Sequence, residues 1–249
     1  CMTAPSLTIK GDAHIGNQLI FKAACLDIPA GAWTCLLGRS GVGKTTILKL
    51  IAGLDEHITF TGDMSSSDGK PLAGRIALMS QTDNLLPWLS VRGNIMLGSR
   101  MRQEHSQSEQ ADALIERVGL TEFSDRKPHT LSGGMRQRVA LARTLMEDRP
   151  IMLLDEPFSA LDAGLRAEMQ ELAAELFTGK TVLLITHDPA EAARMGDRLY
   201  LMTGFGIENL TAILPQQPNQ SQRTVRDFDS AEVLAATGSL LSKLKEAQR

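Results

Sequence analysis

The chain has 249 residues, 43% of them hydrophobic, enough for one sizeable packed core and too apolar for a disordered polymer. Its 26 Lys+Arg against 29 Asp+Glu give a net charge of -3, so it lacks the basic footprint of a nucleic-acid binder, and no nucleic-acid partner is expected. No apolar run approaches the roughly 20 residues that span a bilayer, and the opening CMTAPSLTIK lacks the apolar centre of a signal peptide.

Taken in chain order, short β-like runs alternate with helical ones. The clearest strands are LTI (7–9), ACLDI (24–28), WTCLL (33–37), RIALMS (75–80), IMLLD (151–155) and TVLLIT (181–186). Several are nearly continuous apolar runs, which predicts strands covered on both faces. Residues 45–52 read as a helix ending at Gly53, and 163–177 and 189–195 as two more. Between 87 and 149 the pattern is helical without a buried strand, so this block reads as an insertion in an α/β core. Residues 214–224, LPQQPNQSQRT, read as loop or linker. The tail 232–249 has an amphipathic pattern that Gly238 weakens. Cys1 precedes Met2 and reads as a remnant or an engineered handle. Cys25 and Cys35 sit in apolar strands without metal-type spacing, which predicts buried free thiols in a reducing cytoplasm.

The strongest chemical signal is GRSGVGKTT (38–46), a G-x-x-x-x-G-K-[ST] loop after a strand and before a helix. Glycines at Gly38, Gly41 and Gly43 let the backbone of Arg39, Ser40 and Val42 fold tightly and aim amides at phosphate oxygens. The helix N-terminus adds partial positive charge. Lys44 is suited to β- and γ-phosphates, Thr45 to Mg²⁺, and Thr46 continues the phosphate cradle. IMLLDEP (151–157) ends an apolar strand in two acids. Asp155 suits a hydrated Mg²⁺; Glu156 suits polarising the water that attacks the γ-phosphate. Gln81 leaves the strand RIALMS where its amide can touch both metal and water. His187 follows TVLLIT where it could hydrogen-bond a γ-phosphate; taken alone, Gln81 reads equally as a polar residue at a strand exit and His187 as a structural or capping histidine.

The order GRSGVGKTT, Gln81, LSGGMRQ (131–137), IMLLDEP, SALD (159–162) and His187 resembles the ATP-binding subunit of an ABC transporter, over nearly all of residues 7–204. The resemblance implies a P-loop NTPase core with a mixed sheet and an inserted helical subdomain. It divides the chain into a RecA-like, β-rich and P-loop part (2–86), a helical subdomain bearing LSGG (87–149), the rest of the core (150–204) and an extension without an assigned role (205–249). It makes Glu156 the catalytic base, Gln81 the Q-loop residue, His187 the switch histidine and Asp162 the D-loop acid. It also explains LSGGMRQ, which has no acid, histidine or cysteine. Two copies face each other head to tail, and Ser132, Gly133, Gly134, Gln137 and Asp162 of one complete the ATP site on the partner's P-loop. At the place of the family's adenine-stacking aromatic stands Ile15, with His14 beside it; apolar contact from Ile15 or a ring face from His14 would have to substitute.

QTDNLLPWLSVRGNI (81–95) together with LSGGMRQR is similar to importers of the nitrate/sulfonate/taurine group, which also includes carriers of thiamine pyrimidine precursors. Trp88 there is either a core anchor or a contact for another protein. The resemblance implies a peripheral ATPase at the cytoplasmic face of the membrane, working as an ATP-bound homodimer with two permease subunits and, indirectly, a solute-binding protein. A soluble ABC ATPase with a non-membrane partner is the alternative. Such relatives carry tandem cassettes, coiled coils or basic insertions, and this chain has one motif set and no basic block. A P-loop kinase would leave LSGG, SALD and His187 unexplained.

Overall fold

Apolar runs that no solvent touches become the middle of a six-stranded sheet. The computed structural model describes residues 4–103, 107–204, 206–214 and 224–247. In chain order the elements are β1 (Leu7–Ile15), β2 (Gln18–Ile28), β3 (Trp33–Gly38), α1 (Lys44–Ala52), β4 (Ile58–Ser66), β5 (Ile76–Met79), α2 (Val91–Ile95), α3 (Leu97–Met101), α4 (Ser108–Arg117) and α5 (Gly133–Met146). Then follow β6 (Ile151–Asp155), α6 (Ala163–Leu176), β7 (Thr181–Thr186), α7 (Pro189–Met195), β8 (Arg198–Thr203), β9 (Gly206–Asn209) and α8 (Ala231–Glu246).

The large sheet has the order β5-β6-β7-β3-β8-β9. Its first five strands run parallel, and β9 closes the edge antiparallel to β8, so the sheet is mixed. Every residue of β3, β6 and β7 is buried. Successive side chains alternate between two cores, as the two-residue period of a strand requires. Trp33, Cys35, Leu37, Met152, Leu154, Val182 and Leu184 face α5, α6 and α7. Leu36, Ile151, Leu153, Leu183 and Ile185 face α1 and the smaller sheet. That smaller sheet, β2-β1-β4, is antiparallel.

Cys35 is buried, but Cys25 is exposed. In the lower half of β2 only Ala24, Leu26 and Ile28 point to the core, and Cys25 takes the opposite face. ACLDI is therefore a strand with one wet face, not one covered on both sides.

From 87 to 149 the described residues hold α2 to α5 and no strand. The tail forms the 16-residue α8, whose Val233, Ala236 and Leu240 are buried. Tertiary packing thus overrides the roughly 1 kcal/mol cost of a mid-helix Gly238. Cys1 and most of the loop 214–224 lie outside the described residues.

Candidate functional site

Lys44, Thr45, Gln81, Asp155, Glu156 and His187 follow or end the parallel strands at their carboxyl ends, where open α/β sheets place their ligand crevices. The loop after β3 reaches α1 through Gly41 at φ 82° and Gly43 at φ 106°. A side chain at Gly43 would also meet Ile20 Cγ2 at 2.7 Å, so both backbone and packing demand glycine there. Lys44 starts α1 and is 5% exposed. Its ammonium donates to the carbonyls of Gly38 and Arg39, each at 2.8 Å, leaving one of its three N–H groups. Burial lowers the Lys44 pKa; Glu156 and Asp155 oppose the shift.

Thr45, one residue on, donates its hydroxyl to Asp155 Oδ2 at 2.8 Å. Asp155 ends the fully buried β6, and burial raises its pKa against the Thr45 bond. Glu156 follows at φ 50°, a left-handed backbone unusual for a non-glycine residue. Such strain persists only where surroundings enforce it, and here they do. Its N–H donates to the Ile185 carbonyl at 3.0 Å, and its own carbonyl accepts from Gln137 Nε2 and Ser159 Oγ at 3.0 and 3.1 Å. The turn aims the carboxylate between two neighbours: Gln81 Nε2 donates to Oε2 at 3.3 Å, and His187 Nδ1 lies 3.1 Å from the same oxygen. Ser40, Gly41, Gly43, Lys44, Thr45, Thr46, Gln81, Asp155 and Glu156 line one cavity of about 200 Å³.

Oxygen donors dominate this cluster: a Thr hydroxyl, an Asp carboxylate and a Gln amide. That set suits a hard cation such as Mg²⁺. Among the described residues no group of three His, Cys, Asp or Glu could hold a metal. A cation held by Thr45 and Asp155 would complete its shell with water or phosphate oxygens.

LSGG lies elsewhere on the surface. Ser132 caps α5 by accepting from the Met135 N–H at 3.2 Å. Ser132 and Gly133 are exposed, so the amino end of a 14-residue helix faces outward. Asp162 is likewise exposed and caps α6 through the Leu165 N–H at 3.1 Å. Gln137 departs from expectation. It is 7% exposed, and its amide holds the Glu156 carbonyl and the Ala160 N–H within its own chain. Reaching a partner's nucleotide would break those bonds, so its geometry is that of a brace for residues 156–160. Ile15 ends β1 at 37% exposure, paired with Gln18 and Ile58.

Three residues that sequence reading missed tie the parts together. Arg136 and Arg143, seven apart on one face of α5, clamp the segment after Gln81. Arg136 Nε meets Asp83 Oδ2 at 2.9 Å, and Arg143 donates to the Asp83 and Asn84 carbonyls. Asn94, fully buried, bonds Leu86 through both N–H and carbonyl and so shapes the LPW loop. The arginines had a readable signal in their spacing; Asn94 had none. On that loop Trp88 is 67% exposed, and Leu85 and Leu86 are half-buried.

A glycine loop between a central parallel strand and a helix, its lysine folded back on the loop and its threonine bonded to the acid that ends a nearby strand, defines a P-loop nucleotide-binding α/β protein. The family profile described as "ABC transporter" matches residues 21–159. An uncharacterized ABC transporter ATP-binding protein of Haemophilus influenzae is 43% identical over 188 residues, 75% of this chain and 77% of its own. An aliphatic sulfonates import ATP-binding protein SsuB of Rhodopseudomonas palustris is 37% identical over 234 residues, 93% of this chain and 80% of its own. A solved dimeric, post-hydrolysis state of the ATP-binding cassette MJ0796 bound to ADP and Pi superposes with TM-score 0.71 at 29% identity, covering 82% of this chain and 98% of that one. The chain belongs to the ABC transporter family and is an ATP-hydrolysing subunit of it.

Proposed function

We propose that this subunit powers a bacterial importer of a small solute, two copies enclosing two ATP between them and driving a pair of membrane permeases. The observation that carries the reading is the convergence of Lys44, Thr45, Asp155, Glu156, Gln81 and His187 within one crevice, with Ser132 and Gly133 left outward for another copy. A sulfonate relative at 37% identity over 93% of this chain supports the import part, and makes aliphatic sulfonates the first solutes to test.

The groups divide the chemistry between them. Backbone amides of 39–43 and the Lys44 ammonium bind the β- and γ-phosphates, with the helix N-terminus adding field. Mg²⁺, when bound through Thr45, Asp155 and Gln81, would neutralise phosphate charge. Glu156 orients the attacking water and draws its proton; Gln81 and His187, already on Glu156 Oε2, hold that carboxylate in line. Ser132, Gly133 and Gly134 of the second copy close the γ-phosphate from the far side. Asp162 sits on the exposed loop beside that face, while Gln137 braces it from within its own chain. Ile15 supplies the apolar wall for the base.

Among the described residues no helix is long and apolar enough to cross a membrane. Membrane attachment in this reading is peripheral, at the cytoplasmic face, through the loop after Gln81, with a solute-binding protein engaging the permeases from the other side. The exposed Trp88 is an aromatic anchor for a permease helix. Trp88→Ala is expected to cost about 2 kcal/mol of permease association, roughly thirtyfold, with ATP affinity unchanged. Co-purification with the permeases and nucleotide titration, run in parallel, read the two quantities. Loss of ATP binding together with permease binding would instead make Trp88 part of the fold.

A further inference from the structure

A buried polar network between α6 and α7 has no part in the chemistry just assigned. Glu191, in the first turn of α7, is 5% exposed. Its carboxylate accepts from Gln170 Nε2 at 3.0 Å and from the Thr186 side chain. Thr186 Oγ1 in turn accepts the Asp188 N–H at 3.0 Å. Thr186 and Asp188 flank His187, so Glu191 grips the loop on which the imidazole stands.

The other end of the network leads to the C-terminal segment. Gln170 Oε1 accepts from Arg194 Nη1 at 2.6 Å. The Arg194 side chain is 4% exposed, and its Nε donates to the Arg226 carbonyl at 2.9 Å. Its guanidinium lies 4.0 Å from the centre of the Phe228 ring. Arg226 returns hydrogen bonds to the carbonyls of Ala193 and Gly196. Farther on, Leu244 of α8 lines a cavity of about 340 Å³ with Gly38, Ser40 and His187. The segment thus touches the base of the histidine loop and the rim of the phosphate crevice.

Such a network is costly. Burial pushes the Glu191 carboxyl up to about 7 and lowers the Arg194 pKa. Apolar residues fill the neighbouring positions: Ala173, Ala192 and Ala193 are fully buried. Packing alone therefore does not call for an acid, an amide and a guanidinium in series, whereas a fully bonded polar network fixes one conformation.

We propose that Glu191, Gln170 and Arg194 are positioning residues that set the seat of His187, and that residues 224–246 hold them in place. The proposal rests on the role of His187 in ATP hydrolysis. It gives the C-terminal segment a function, which is to keep the histidine loop in register with the P-loop.

The test compares Glu191→Ala, Glu191→Gln and Phe228→Ala with the wild-type chain. Two readouts are taken: ATPase kinetics, and the His187 imidazole NMR signals, assigned against His187→Gln. Glu191→Ala is expected to lower kcat about tenfold to a hundredfold, the usual cost of a misplaced catalytic group, with KM for ATP within about twofold. Glu191→Gln recovers part of the loss, because its carbonyl still accepts from Gln170. Phe228→Ala, at a side chain 39% exposed, spares the core and still shifts the His187 signals, with a smaller drop in kcat. If Glu191→Ala fails to fold, Phe228→Ala carries the test. Imidazole signals that stay in place, or a kcat that holds while they move, would overturn the proposal. A His187→Gln variant that splits ATP at the wild-type rate would overturn the role of His187 instead, and the signals would still report on its seat.

Discussion

Glu156→Gln is expected to bind ATP and not split it, with turnover falling about 10²–10⁴-fold, the usual contribution of a positioned base. The substitution preserves length, and its amide oxygen still accepts from Gln81. It also leaves the backbone turn at φ 50°, which the Ile185, Gln137 and Ser159 bonds enforce. Only basicity is lost. ATP should then hold two copies together for as long as it stays intact, so the variant elutes as a dimer with ATP and Mg²⁺ and as a monomer without. A variant that hydrolyses at the wild-type rate would move the base elsewhere.

Lys44→Ala is expected to act one step earlier. The ammonium is buried, tied to two carbonyls of its own loop, and beside Asp155 and Glu156. Its loss removes the main side-chain charge facing the phosphates. It also removes one of the two influences that oppose the burial-driven rise of the Asp155 pKa. Truncating one partner of a buried charge pair costs about 2–5 kcal/mol, or roughly thirtyfold to several thousandfold in affinity. Nucleotide titration with a fluorescent ATP analogue measures this directly. Unchanged affinity would mean that the loop amides alone hold the phosphates.

How much of this was legible in the sequence follows from burial. WTCLL, IMLLD and TVLLIT are covered on both faces, so their apolar runs announced β3, β6 and β7 to within a residue. The spacing of GRSGVGKTT and IMLLDEP was legible too, and the fold brings their Lys44, Thr45, Asp155 and Glu156 to one cavity. β4, ITFTGDMSS, escaped notice: it is an edge strand with exposed positions, a glycine and an aspartate. Cys25 misleads because five residues as apolar as ACLDI look alike whether one face of the strand is wet or neither is. Gln137 illustrates a different limit. Its place in LSGGMRQ suggested the partner's nucleotide, while its burial and its bonds to Glu156 and Ala160 depend on the fold. The same holds for Glu191, Gln170, Arg194 and Arg226, which no local pattern relates and which meet only through α6, α7 and the tail.

In the proposed dimer each ATP is shared between the P-loop of one copy and the LSGG helix of the other. Ser40 and Ser132 are both exposed, and that dimer brings them together only across two chains. The measurement is disulfide formation in a mixture of two Glu156→Gln chains, one also Ser40→Cys and the other Ser132→Cys, both with Cys1 and the exposed Cys25 replaced by Ser. A disulfide needs Cα atoms within about 7 Å, so it reports true apposition. A crosslinked pair of unlike chains is expected to form with ATP and Mg²⁺ and not without them. No crosslink with ATP bound, or the same yield without nucleotide, would contradict that dimer.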